Sequence, residues 1–271
     1  MDQASAFFHA GDLAQAIDSA TAWIRSKPTD YSARWFLAEL LCFDHELERA
    51  DTQLNLLRKQ SPKSTPVIAL FQQLIRAEMA RSEFYESGRV PEFFAEPDAA
   101  TELALRAFVL LRDGDNEQVS KCLEESESAR QPLSGSCKDG SRFDDFRDLD
   151  DMLAGVFEVC TPTGKYFWVP CHSVRSIEFH PPETPQDLLW RRVTMDVIDG
   201  PNGEAFLPAR YHAPSDVSDP MKLARQTDWQ DTGGIIRGVG QKTFLVGESD
   251  KGIMELSDLV FEPHSATTAE V

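Results

Sequence analysis

Basic residues are scarce in this chain: 27 Lys and Arg stand against 45 Asp and Glu, a formal net charge of -18. At physiological salt such a surface repels phosphate backbones and anionic lipid, so the composition speaks against nucleic acid and membranes as partners. Long apolar runs are missing as well. Ala107 to Leu111 is closed at both ends by Arg106 and Arg112, far short of the ~18 residues a bilayer span requires. The N-terminus, Met1-Asp2-Gln3-Ala4-Ser5, has no basic segment before Gly11-Asp12, which argues against a secretion signal and for the cytoplasm. The five cysteines, Cys42, Cys122, Cys137, Cys160 and Cys171, form an odd set without CxxC spacing. That excludes a disulfide framework and a tetrahedral zinc site as first readings and leaves free thiols in a reducing compartment. What is present is ordinary: 271 residues, 41% hydrophobic and 27% charged, enough chain for about two globular domains or one large one.

The first half repeats itself. A shift of 34 residues carries Leu13 onto Leu47, Ala16 onto Ala50 and Pro28 onto Pro62. A small Ala lets two helices of a hairpin approach closely, and a Pro ends the second helix because it lacks an N–H and its ring breaks the ladder. Between these landmarks Ala33, Leu37, Ala38, Leu40 and Leu41 recur at three and four, as do Ala50, Leu54 and Leu57, giving one apolar face per helix. These residues resemble a degenerate tetratricopeptide repeat, with Arg34 at the place of its usual Trp; the alternative is an irregular bundle in which the spacing is coincidence. A shift of 103 residues carries Gly11-Asp12 onto Gly114-Asp115 and predicts another hairpin over about 98 to 128. Val67 to Arg81 reads as a helix. Ser82 to Pro97, with Gly88, Pro91 and Pro97, interrupts the array.

From Gln131 to Ser141 periodicity is lost and turn formers collect, so residues 131–141 read as a linker or loop between a helical domain, 1–130, and a strand-rich domain, 142–262. A short helix carrying Asp144, Asp145, Asp148, Asp150 and Asp151 is expected next. Val156–Cys160 and Tyr166–Val169 then flank Thr-Pro-Thr-Gly-Lys as a hairpin. Further strands are expected at Val174–Phe179, Val193–Ile198, Ala205–Leu207, Ile235–Arg237 and Thr243–Val246, with brief helices around Pro185–Trp190 and Leu256–Val260. The expected class is α+β: TPR-like helical hairpins followed by a small curled sheet or open barrel. Residues 263–271 read as a frayed tail.

Motifs that carry chemistry mostly fail on mechanism. Gly238-Val239-Gly240 has no helix start after it to hold a phosphate and reads as a hairpin turn. Cys171 and His172 are adjacent on an expected strand and point to opposite faces, although a hydrolase-like enzyme with a cleft in the strand-rich half using Cys171, His172 or His212 is the main rival reading. The aspartates from 144 to 151 lack the loop of a calcium site and read as a solvated helix N-terminus. The acid-rich stretch 112–127 reads as an exposed helix face. Trp23 and Trp35 read as core, and Trp190 as a core or interdomain anchor. No catalytic, cofactor or metal residue is assigned.

Four ordered blocks, Arg147 to Asp151, Tyr166 to Pro170, Asp187 to Arg192 and Leu207 to Tyr211, following a degenerate repeat half, resemble the ImpE family, also called TagJ, of bacterial type VI secretion accessory proteins. The resemblance covers nearly the full length. It implies a cytoplasmic adaptor without catalytic residues. Such a protein binds the N-terminal helix of the small contractile-sheath subunit and modulates sheath assembly or recycling by an AAA+ ATPase. A solenoid's concave face suits an amphipathic partner helix, and repeat register puts Trp35, Glu39 and, in the later hairpin, Phe108 on that side. A generic scaffold outside secretion is the third reading.

Overall fold

A computed structural model describes residues 1–214 and 216–262; the expected frayed tail, 263–271, lies outside the described residues. The helical half comprises α1 (Asp2–Ala10), α2 (Leu13–Ser26), α3 (Tyr31–Phe43), α4 (Leu47–Gln60), α5 (Thr65–Ser87), α6 (Ala99–Asp113) and α7 (Asn116–Ala129). Local chemistry sets the helix starts. Asp12, Asp30, Asp98 and Asp115 each accept a backbone N–H three residues on, satisfying a donor the helix leaves open. The repeat also explains one backbone oddity. Gly11, His45 and Gly114 occupy equivalent hairpin turns and have φ of 86°, 62° and 78°, so His45 adopts a left-handed conformation that glycine takes without steric cost. Ala16, Ala20, Ala33, Ala38 and Ala50 are fully buried where the helices meet.

α5 runs 23 residues, past the expected Arg81, and packs on α4; the next helix, α6, begins only at Ala99. After Gly88 the chain is extended. The Glu92 N–H donates to the Tyr166 carbonyl and the Trp168 N–H to the Glu92 carbonyl, both at 3.0 Å. The interruption in the array thus covers the edge of a sheet, where unpaired backbone groups would otherwise stay open to solvent and other chains.

The strand half contains β1 (Gly135–Cys137), β2 (Arg142–Phe143), β3 (Phe146–Asp148), β4 (Val156–Cys160), β5 (Tyr166–Pro170), β6 (Val174–Phe179), β7 (Trp190–Val197), β8 (Asn202–Pro208), the short α8 (Asp219–Lys222), β9 (Thr227–Asp231), β10 (Ile236–Gly240), β11 (Thr243–Val246), β12 (Ser249–Gly252) and β13 (Leu259–Phe261). Eight strands form one open sheet in the order β2-β1-β13-β6-β7-β8-β4-β5; β9 and β10 pair separately, as do β12, β11 and β3. Within 131–141, β1 pairs with β13 and β2.

Three local expectations are corrected. The aspartate run forms no helix but β3 and turns. Asp148 Oδ1 accepts from the Asp150 N–H, and Asp150 Oδ1 from the Met152 N–H, both at 2.9 Å, side-chain bonds that compete with the helical ladder. Leu256–Val260 is not a helix, because its last residues enter β13. Gly238 and Gly240 lie within β10 rather than in a turn. The Tyr211 ring lies so close that a Cβ on Gly238 would come within 2.1 Å of it.

The core is divided in three. One cluster lies within the strand half. The other two join the halves: α1–α5 pack with Leu189, Trp190, Phe206 and Leu223, and α5–α7 with Tyr166, Trp168, Tyr211 and Ile235. The strand half also terminates the helices. Arg225 donates to the Phe8 and His9 carbonyls at the end of α1, Arg210 to those of Cys42 and Phe43 at the end of α3, and Asp219 accepts from the Leu13 N–H at the start of α2 at 2.7 Å. Each charge sits at the helix end whose dipole it complements. Trp190 is 2% exposed; Trp190→Ala is expected to lower unfolding free energy by about 3–5 kcal/mol in urea denaturation, melting helices and strands in one transition.

Candidate functional site

Where the halves meet, five charges are buried together. Arg81 on α5 donates from Nε and Nη2 to the two carboxylate oxygens of Glu158 on β4 at 2.8 and 3.1 Å, and from Nη1 to Glu78 at 2.9 Å. Lys242, just before β11, bridges Glu158 at 3.0 Å and Asp148 at 2.9 Å. Tyrosines complete the shell: Tyr85 and Tyr166 donate to Glu158 at 2.9 and 2.6 Å, and Tyr211 to Asp148 at 2.7 Å. Burial disfavours the Glu158 charge, yet Arg81 and Lys242 hold its carboxyl well below the usual range. A buried ionic cluster is stable only with every member satisfied, and here they are.

The aspartates read as a solvated face belong to this system. Asp148 and Asp150 are fully buried. Arg237 pairs with Asp150 at 2.9 Å, Arg130 with Asp145 at 2.7 Å and Arg147 with Asp151 at 3.1 Å. Arg147 lies within the run itself and Arg130 just past α7, whereas the partners of the two buried aspartates, Arg237 on β10 and Lys242 before β11, lie far along the chain, outside any local window of sequence. Glu158 did leave a trace, as a lone acid inside Val-Phe-Glu-Val-Cys, a strand buried at all five positions.

A cleft of about 520 Å³ borders the cluster, with His45, Tyr85, Arg112, Arg210 and His212 among its walls. The His212 ring stacks on Tyr85 at 4.3 Å; burial lowers its pKa to about 3, helped by Arg81. Ser82 Oγ lies 2.9 Å from His45 Nε2 and 3.0 Å from the Glu78 carbonyl, and burial lowers the His45 pKa. The rival Cys–His reading does not assemble. Cys171 is buried, which pushes its thiol pKa upward; His172 Nδ1 lies 3.6 Å from Asp98, and His212 lines the 520 Å³ cleft, which includes neither of them. All five cysteines are free and buried.

The expected partner-facing residues separate. Trp35 Nε1–H donates to Glu39 Oε1 at 3.0 Å, and the indole lies 5.3 Å from Phe71, itself 6.1 Å from Trp190. The inner side of the array is therefore occupied by the chain's own strand half. Phe108 belongs to another cluster, between Phe84 and Trp168. Glu39 and Phe108 are 3% and 2% exposed, so neither has surface to offer; Trp35 is half-buried.

A second groove, of about 870 Å³, separates the α6–α7 hairpin from the strand half, with Ala100, Ala104, Leu123, Glu124, Gly155 and Ile235 among its lining. The sequence marked it only by small residues at Ala100 and Ala104, four apart on α6. No described helix is long and apolar enough to cross a membrane.

Comparison with known proteins gives consistent matches. The ImpE protein family profile matches residues 140–260. A curated Pseudomonas aeruginosa protein, described as the type VI secretion system accessory component TagJ, is 28% identical over 97% of this chain and 92% of its own. A crystal structure of a Vibrio parahaemolyticus protein superposes with a TM-score of 0.89 at 32% identity, covering 96% of this chain and 97% of that one.

Two measurements probe the junction. Arg81→Leu leaves Glu78 without its ion-pair partner and halves the compensation of Glu158; unfolding free energy is expected to fall by about 3–5 kcal/mol. Glu39 behaves oppositely to a paired acid: burial, with Asp187 adding, pushes its pKa from 4.5 up to about 7. A raised carboxyl contributes stability below its unfolded pKa and loses it as pH rises through the folded one. Glu39→Gln is therefore expected to raise the melting temperature at pH 8, by an amount equivalent to about 2–3 kcal/mol, and to leave it unchanged at pH 4.5. Thermal melts across that range check it.

Proposed function

This chain belongs to the ImpE family, and from that premise we propose that it is a non-enzymatic cytoplasmic adaptor of a type VI secretion system. It binds a helix of the small contractile-sheath subunit and modulates sheath assembly or recycling by an AAA+ ATPase. The observation that carries this reading is the similarity to the Pseudomonas aeruginosa accessory component along 97% of the chain. The two-half architecture supports it: an array of hairpins over residues 1–130 offers helix-sized surfaces, and a chain of net charge -18 favours a basic partner. The ion-paired junction supports a structural rather than a chemical use of its charges, since its carboxylates and cations are engaged with one another.

Trp35, Glu39 and Phe108 serve this reading as framework. Trp35, bonded to Glu39, braces α3 against Phe71 of α5, and Phe108 sets α6 against Trp168 of the strand half.

Calorimetric titration of the folded protein with the N-terminal peptide of the small sheath subunit tests the proposal, with a helix-breaking proline variant of the peptide beside it. Binding of the first and not the second is expected, with an association rate that falls as salt rises. Equal binding of the proline peptide, or none of either, would sink it. Trp35→Ala is expected to lower stability by roughly 3 kcal/mol while changing affinity less than threefold.

A further inference from the structure

At its last hairpin the array leaves the flank of a helix uncovered. α3 packs between α2 and α4, and α5 against α4 and the strand half, whereas α7 packs mainly on α6. Of its fourteen residues α7 buries only Val119 and Cys122. Its other flank, Ser120, Leu123, Glu124 and Glu127, borders the 870 Å³ groove, with Gly155, Val156 and Ile235 of the strand half opposite. In the repeating order the next helix of the array belongs there, and the chain turns into strands instead.

The dimensions suit a helix. Lining residues on α7 run from Ser120 to Ala129, which at 1.5 Å per residue is about 14 Å, between two and three helical turns. A helix about 10 Å across and of that length occupies ~1,100 Å³, so the groove would take most of it and leave one face in water. Ala100, Ala104 and Gly155 keep the lining low, as close helix packing at 8–10 Å requires.

Charge selects the occupant. The groove's cations are engaged, Arg130 with Glu127 and Asp145 and Arg147 with Asp151. Its acids are not all matched: Glu124 has no ion-pair partner among the described residues, and Asp98 has only His172, at 3.6 Å. Glu117 and Glu125 extend the acidic lip on the exposed side of α7.

We propose that this groove seats a basic amphipathic helix of two to three turns. The helix lies along α7 in the place of the array's missing member. Its small apolar stripe rests on Ala100, Ala104 and Leu123, and its Lys or Arg residues face Glu124 and Asp98. The inference rests on the reading that the partner presents a helix, and it moves the contact from the array's inner side to its last hairpin.

The test titrates the sheath-subunit N-terminal peptide into the full-length protein and three variants. Ser120→Trp fills the groove from its wall; the Ser120 hydroxyl only bonds back to the Asn116 carbonyl. Glu124→Lys reverses the lip. Asp18→Lys makes the same charge change at an exposed site on α2, at the far end of the array. Ser120→Trp is expected to weaken binding more than about tenfold and Glu124→Lys about fivefold, chiefly in association rate, with Asp18→Lys within about twofold of wild type. Circular dichroism melts show whether each variant folds, and Glu124→Lys, a surface change, carries the test should Ser120→Trp not fold. Wild-type affinity in both groove variants overturns the groove and leaves the helix-partner reading standing. Equal losses in Glu124→Lys and Asp18→Lys, with Ser120→Trp silent, also overturn it, because charge would then act at a distance. Absence of wild-type binding overturns both.

Discussion

The bidentate pair between Arg81 and Glu158 is the constraint on which the rest depends. Both side chains are essentially inaccessible, and an ion taken from water without a partner costs several kcal/mol. α5 can therefore occupy only the position that puts its guanidinium on the carboxylate of β4. Lys242 then fixes β11 and β3 through the same carboxylate and Asp148. Such a cluster adds little net stability compared with apolar residues of equal volume, but it penalises every other docking of the halves. Its contribution is to register.

The same logic operates at the helix ends. Each α-helix leaves unpaired carbonyls at its C-terminus, and at α1 and α3 these are met by Arg225 and Arg210 of the strand half. Asp219 meets the N-terminus of α2, and Lys222 pairs with Asp44 just past α3. A helical array whose ends and inner side are finished by another part of the chain is not an independent unit. This is why the inner side, the usual recognition surface of a solenoid, is here filled by Trp190 and Leu189.

Much of the architecture was legible because it is local. Hairpin spacing, the Thr-Pro-Thr-Gly-Lys hairpin and the α-to-β order all follow from windows of a few dozen residues, and Trp190 stood out as an anchor by its bulk. The junction was not legible in this way. Asp148 and Asp150 look like a hydrophilic helix start until Lys242 and Arg237, about ninety residues later, arrive beside them; without those partners the solvated reading is physically the better one. Phe108 and Glu39 were placed by repeat register on an inner side that the strand half covers. Periodicity reports which face of a helix is apolar, and it is silent on what comes to cover it.

Rigidity beside the α7 groove also bears on the proposed recognition of a helix. A peptide of two or three turns is marginally helical in water, because nucleating the first turn costs more than its few hydrogen bonds return. Its partner must therefore absorb the ordering cost of the peptide, and can do so best when it orders nothing of its own. The α7 groove meets that condition from one side through Arg130, which ties the end of α7 to Asp145, and from the other through Asp151, whose carboxylate accepts the Ile236 N–H at 2.8 Å. Both walls are thus held by contacts within the chain itself. A groove whose walls are fixed in this way would let the binding energy of the proposed helix go to ordering the helix alone.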